Sequence, residues 1–128
     1  MLDIFALTEG INDTATQQEI MDPCEPFAFF IYNENHKVIA GTNGYLVYGA
    51  IYTGQLWVSE SLRGQGIGRK LMEKVHEYGG QKGCTIATLR TMSFQNARPL
   101  YEKLGYECHY EETGYTQGHR CFYMKRVL

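Results

Sequence analysis

The segment Leu56-Trp57-Val58-Ser59-Glu60-Ser61-Leu62-Arg63-Gly64-Gln65-Gly66-Ile67-Gly68-Arg69-Lys70 constrains this chain more than any other. A strand-like run enters a loop with glycine at every second position and continues into a helix. The helix is marked by Ile67, Leu71, Val75 and Tyr78, spaced three or four residues apart as one apolar helical stripe requires. N–H groups in the first turn of a helix lack intrahelical partners and lie at the positive end of its dipole. A strand, glycine loop and helix in succession therefore favour an anion, and missing side chains let it approach the backbone closely. A phosphate or pyrophosphate is the natural guest, and Arg63, Arg69 and Lys70 can add charge-assisted contacts.

Spacing then removes two common phosphate ligands. A nucleoside-triphosphate loop of the form GxxxxGK[ST] needs a hydroxyl for magnesium, whereas Gly66 and Gly68 are followed by Arg69-Lys70-Leu71. The dinucleotide fingerprint GxGxxG fits Gly64-Gln65-Gly66-Ile67-Gly68 poorly, and the strands upstream read as an antiparallel meander rather than a βαβ unit.

That meander comes from the residues before the loop. Aromatic residues make up 13% of the chain, and many positions are β-branched, as a sheet-rich fold requires. Phe27 to Tyr32 reads as a strand, Asn33 to His36 as a turn, and Lys37 to Tyr48 as the hairpin partner, with Gly41 and Gly44 as bends or bulges. Gly49-Ala50 starts a further strand, Ile51 to Ser59. Upstream, residues 1 to 10 are expected to hold a short strand, and Asn12 to Met21 one or two helical turns stopped by Pro23 and Pro26.

Downstream, the helix from Gln65 ends at Gly79-Gly80, and the apolar, β-rich Cys84 to Arg90 reads as a buried strand beside the one before the helix. That is a β-α-β crossover, right-handed by rule. A second helix spans Gln95 to Leu104 and stops at Gly105. Tyr106 to Glu111 and His119 to Arg126 are the last two strands, around the polar loop 112–118. The fold class expected is mixed α/β of the α+β type, with a mostly antiparallel sheet and flanking helices.

A length of 128 residues suits one domain and one core, and 44% apolar with 20% charged residues is a globular composition. The longest apolar run is too short to cross a bilayer and MLDIFALTEG lacks a basic leader, so no membrane partner and a cytoplasmic location are expected. Cys24, Cys84, Cys108 and Cys121 form no zinc-ligand spacing and are read as free thiols, so no metal is expected. A net charge of -2 gives no electrostatic case for nucleic acid.

Two blocks carry a resemblance to a known family. Arg63-Gly64-Gln65-Gly66-Ile67-Gly68 fits the R/Q-x-x-G-x-G/A signature with which GNAT acetyltransferases hold the pyrophosphate of coenzyme A. Ser93-Phe94-Gln95-Asn96-Ala97-Arg98-Pro99-Leu100-Tyr101-Glu102-Lys103-Leu104-Gly105-Tyr106 resembles the family segment N-x-x-x-x-x-Y-x-x-x-G-F/Y at a similar distance downstream. The similarity runs from about Phe27 to the C-terminus, and the stretch 1–26 is reduced relative to the family.

This resemblance implies a sheet splayed between the strand ending at Ser59 and the strand Cys84 to Arg90, with acetyl-CoA as cosubstrate in the cleft. It implies that the main chain of Leu56, Trp57 and Val58 pairs with the pantetheine arm, and that N–H groups from Arg63 through Gly64, Gln65, Gly66, Ile67, Gly68 and Arg69 cradle the pyrophosphate. Phe94 and Asn96 lie beside the pantetheine by the same resemblance. The Val58 N–H is the candidate donor to the thioester oxygen, and the Tyr101 phenol the candidate proton donor to departing thiolate.

The strand carboxylate that some members use as base is here Tyr52, which leaves Glu60, Glu25, His109 or an ordered water for that role. His36 and His76 are read as surface residues and His119 as a hydrogen-bonded structural one. The implied reaction is N-acetylation of a primary amine, on a small molecule, peptide or protein, by direct attack in a ternary complex. The short front end suggests a homodimer that completes the acceptor pocket. The rivals are a catalytically inactive acyl-CoA-binding regulatory module and a protein-interaction domain without a cofactor.

Overall fold

The computed structural model describes residues 2–19 and 24–128. Its elements run α1 (Leu2–Gln17), β1 (Glu25–Tyr32), β2 (Val38–Val47), β3 (Ala50–Val58), α2 (Ile67–Gln81), β4 (Ile86–Met92), α3 (Arg98–Lys103), β5 (Glu107–Glu112) and β6 (Cys121–Val127). The strands form one sheet in the order β1-β2-β3-β4-β6-β5. Only β3 and β4 are parallel; the other neighbours are antiparallel. This is the mostly antiparallel α/β fold that the order of hydrophobic periods indicates.

Local chemistry sets the joints. In the β1–β2 turn the Asn33 side-chain oxygen accepts from the N–H groups of Asn35 and Lys37, at 2.8 and 3.0 Å. Tyr48 and Gly49, both at positive φ, make the two-residue reversal between β2 and β3. Helix α2 starts at Ile67 rather than Gln65 because Gly66 is left-handed, with φ 81°. Helix α3 starts at Arg98 because Asn96, at φ 55°, turns the chain just before Pro99.

Helices α2 and α3 cover the same face of the sheet. Leu71, Met72, Val75, His76 and Gly79 of α2 are buried, Tyr78 packs on Phe29 with ring centroids 5.6 Å apart, and Arg98 of α3 stacks over Phe122 at 4.7 Å. Ile51, Met72, Val75 and Met124 are the largest fully buried side chains. The opposite face carries Phe30, Tyr45 and Trp57, each about half exposed.

Two expectations are corrected. Residues 2–10 are not a strand but the start of α1, which runs on through Gln17, while Met21 and Pro23 lie outside the described residues. The Asn12 side chain ties this helix to the sheet by paired bonds to the Cys24 backbone, at 3.1 and 3.2 Å. His76 is not a surface residue but is buried. Arg126 Nη1 donates to its Nδ1 at 2.7 Å and to the Leu104 carbonyl at 3.0 Å. Because arginine only donates, His76 is the neutral tautomer with Nε2–H, which faces the Tyr106 hydroxyl at 2.7 Å. Burial first and the Arg126 charge second lower its pKa from the ordinary 6.5 to about 4. His36 is exposed, as expected.

Among the described residues no helix is long and apolar enough to cross a membrane. Nor does any group of three or more His, Cys, Asp or Glu among them stand close enough to hold a metal. No disulfide joins any of the four cysteines.

Candidate active site

The parallel ladder between β3 and β4 is short. It runs from Ala50 opposite Ile86 to Thr53 opposite Leu89 and then ends. Beyond it, Gln55 to Val58 stay with β2, and Arg90 to Met92 stay with β6, so the sheet forks. The fork begins at a bulge: Gly44 faces Thr53 and Asn43 faces Gln55, which leaves Gly54 as the extra residue in β3. A bulge bends its strand and sharpens the local twist. Gly44 is required there, because a Cβ on it would overlap the Tyr52 carbonyl oxygen.

The ladder also fixes which backbone groups face the opening. Ser59 donates its N–H to Ile39 across the β2–β3 pair at 2.8 Å. In an antiparallel pair the inward and outward groups alternate, so Trp57 faces β2 while Leu56 and Val58 turn their N–H and C=O groups into the fork. The Val58 carbonyl accepts from Arg63 Nε at 2.9 Å. Trp57 therefore does not share the unpaired row with its neighbours; its main chain is engaged by β2, and its side chain stands about half exposed on the opposite face.

At the end of this row lies the glycine loop. Gly64 and Gly66 both sit at positive φ, 77° and 81°, and a Cβ on either would meet nothing within 4 Å. Glycine is needed there for backbone conformation. The N-terminus of α2 has no side-chain cap and no acidic residue in its first turn, so its N–H groups are left to an outside acceptor. A Cβ at Gly68 would sit 3.7 to 3.9 Å from Leu100, Leu56 and Val58, which joins α2, α3 and β3 at one point. Arg69 is held on the surface by Glu73 at 3.0 Å, Gln65 leans back on the Ser61 carbonyl at 3.5 Å, and Ile67 is half-buried.

Tyr101 lies on α3, next in sequence to the Leu100 that reaches Gly68. Its ring is buried and meets Tyr106 edge-on at 5.8 Å. Burial pushes the phenol pKa up, so it stays protonated at neutral pH. Thr53, at the base of the fork, has the one buried side-chain polar atom among the described residues that lacks a partner, its Oγ1. Such an atom is costly unless something satisfies it. Phe94 and Asn96 stand past the end of β4 on the far wall. Asn96 Nδ2 donates to the Phe94 carbonyl at 3.3 Å, and Phe94 packs edgewise on His119 at 5.1 Å. His119 in turn bonds Ser93 at 2.9 Å, the structural role expected of it.

The candidate bases separate. Tyr52 and His109 line one groove on the sheet face away from α2, together with Thr88, Arg90, Tyr123 and Lys125. Glu60 begins the turn 60–62 at the loop end, exposed. Glu25 pairs with Leu46 at the opposite end of the sheet, away from the fork. Thr53, Arg90, Tyr123 and Lys125 were not singled out by sequence; alternation of polar and apolar residues along β4 and β6 is the signal that places the last three on one face.

An anion-favouring loop and a row of unpaired strand N–H groups thus meet at the fork, beside the helix that carries Tyr101, in a chain that resembles known proteins. Residues 1–106 match the family described as Acetyltransferase (GNAT) family. "Acetyltransferase Atu2258" of Agrobacterium fabrum is 36% identical over 76 residues, which is 59% of this chain and 55% of that protein. The chain thus matches little more than half the length of that curated relative. An acetyltransferase from Bacillus cereus superposes with a TM-score of 0.80 at 27% identity, over 94% of this chain and 90% of that one. A Bacillus anthracis protein in complex with acetyl coenzyme A shares the fold at a TM-score of 0.72 and 14% identity, over 87% of this chain and 67% of that one.

Proposed function

Because this chain belongs to the acetyltransferase (GNAT) family, we propose that it transfers an acetyl group from acetyl-CoA to a primary amine by direct attack in a ternary complex. One observation carries the reading: the N–H groups of Leu56 and Val58 that turn away from β2 run along the fork and lead to the uncapped N-terminus of α2. That strip fits a ligand with a pyrophosphate at one end, an amide-bearing arm in the middle and a reactive group at the other.

In this reading N–H groups from Arg63 to Arg69 hold the pyrophosphate, and Phe94 and Asn96 border the arm. The N–H of Val58 donates to the thioester oxygen, which gains negative charge as the amine attacks. Leu56 supplies the second inward N–H of the same edge. The amine nitrogen bonds to the carbonyl carbon, the carbon–sulfur bond breaks, and Tyr101 gives its proton to the leaving sulfur. The phenol is in the neutral, proton-bearing form that this task needs. The proton lost by the amine passes to water or to a group on the acceptor side, where Tyr52 and His109 stand.

Isothermal titration with acetyl-CoA, with ATP and NAD as controls, should show selective binding, and an amine panel should release free thiol. Binding without turnover would identify the chain as an inactive acyl-CoA-binding regulatory module, and no binding would remove the reading altogether. Tyr101→Phe should lower kcat about 10²-fold while leaving acetyl-CoA affinity nearly unchanged. Leu56→Pro and Val58→Pro, which delete one inward N–H each, should separate the donor to the thioester from the donor to the arm. We also infer a cytoplasmic homodimer whose partner completes the acceptor pocket; a monomer mass in sedimentation would contradict the dimer.

A further inference from the structure

The groove behind the fork has a charge that the proposed chemistry does not explain. It occupies about 530 Å³ and is lined by Tyr52, Thr88, Arg90, His109, Tyr123 and Lys125, with backbone from Leu89 and Met124. Its lining holds no carboxylate. Arg90 is the first residue of β4 beyond the last β3–β4 pair, exposed between buried Leu89 and Thr91. It therefore points to the face away from α2, at the point where the strands part.

Arg90 also differs from its counterparts. Arg69, Arg98 and Arg120 each meet a glutamate, Arg63 the Val58 carbonyl, and Arg126 the Leu104 carbonyl and His76. Among the described residues Arg90 has neither a carboxylate nor a carbonyl partner. The phenol oxygens of Tyr123 and then Tyr52 face it and raise its pKa. Glu112, on the neighbouring β5, accepts from the hydroxyls of Tyr115 and Tyr123, at 2.8 and 3.4 Å.

Register brings a second cation beside the first. Arg90 pairs with Tyr123 and Thr88 with Lys125, so Arg90 and Lys125 are diagonal neighbours on one face, roughly 7–8 Å apart. Glu107 pairs with Lys125 across β5–β6 but forms no ion pair with it. Like charges on neighbouring side chains repel, an anion held between them offsets that repulsion, and a guanidinium fork recognises carboxylate and phosphate in particular. A bulge at His109, between Cys108 and Tyr110, brings its imidazole to the lining of the same groove.

We propose that this groove binds the anionic end of the acceptor, so that the chain acts on primary amines that also carry a carboxylate or phosphate, held by Arg90 and Lys125. This rests on the acetyl-transfer reading for the amine end of the same molecule. The acceptor lies across β4 and β6 on the open face, with its amine at the fork and its anionic group one residue further along. Tyr52 and Tyr123 flank it with ring surface and hydroxyl groups.

The test uses matched probes on the full chain: phosphoethanolamine against ethanolamine, and β-alanine against β-alaninamide. In amide-resolved NMR titrations the anionic member of at least one pair should produce saturable shifts at Thr88, Arg90 and Tyr123, and its neutral partner should not. The pair that responds distinguishes phosphate from carboxylate. Arg90→Gln and Lys125→Met should each weaken that binding about tenfold. No saturable shift with either anion, or equal shifts in Arg90→Gln, overturns the proposal. Thiol release from acetyl-CoA with the same probes reads the other premise separately: Arg90-dependent anion binding without release keeps the groove assignment and removes the acetyl-transfer reading. Where release occurs, the anionic probe should exceed its neutral partner at least tenfold in kcat/KM, and Arg90→Gln should bring that ratio toward one.

Discussion

The two faces of the sheet use the same strands for opposite ends. On the face under α2 and α3, Ile51, Ala87 and Met124 are almost wholly buried with Met72 and Val75. On the other face, alternate residues of the same strands leave Tyr45 47% and Trp57 51% exposed and place Arg90 in water. Apolar side chains close the first face, whereas tyrosines, which keep a hydroxyl for water or a ligand, dominate the second. A period of two separates the closed face from the open one within each strand.

Deletions should feel this difference. Ile51→Ala removes a side chain with no exposed surface and should lower unfolding free energy by about 2–5 kcal/mol in urea titration. Acid should act on the covered face next. Between pH 6.5 and about 4 the unfolded chain protonates His76 and the folded chain does not, so stability falls as pH drops through that window and levels off below it. The depressed value corresponds to roughly 3 kcal/mol, and urea midpoints from pH 7 to 3.5 should show the loss. A flatter profile in His76→Phe assigns that slope to this residue, and an unchanged profile would remove it. Smallest of all, Tyr45→Ala on the open face should shift stability by no more than about 0.5 kcal/mol. A loss as large as that of Ile51→Ala would mean that the open face is covered in solution, and the contrast would collapse.

Much of this was legible in the chain, and the misses have physical causes. The glycine loop, the meander and the crossover helix each announce themselves by spacing, because positive φ and helical period demand particular residues. Helix α1 was hidden by Gly10, a poor helix residue that reads as a break. His76 was hidden because the stripe Leu71, Val75, Tyr78 looked complete, although Met72, His76 and Gly79 form a second row beside it and are all buried. The fork itself followed from family resemblance. Its inward Leu56 and Val58 N–H groups depend on a register that only three-dimensional pairing reveals. Arg90 gave no local signal: its isolation from acids is a property of what the other arginines found.

An unpaired strand edge is ordinarily an invitation to aggregate, since its free N–H and C=O groups accept any extended chain. The outer edges here are defended, by Pro26 in β1 and by the bulge and glutamates of β5. The edge of β3 from Leu56 to Val58 needs no such defence, because β4 stands opposite it within the same sheet and α3 closes over its helix side at Leu100. A slot walled on two sides shelters those groups from the sheet edge of another molecule, so the fold keeps open hydrogen-bonding groups in solution without offering them as an outer edge.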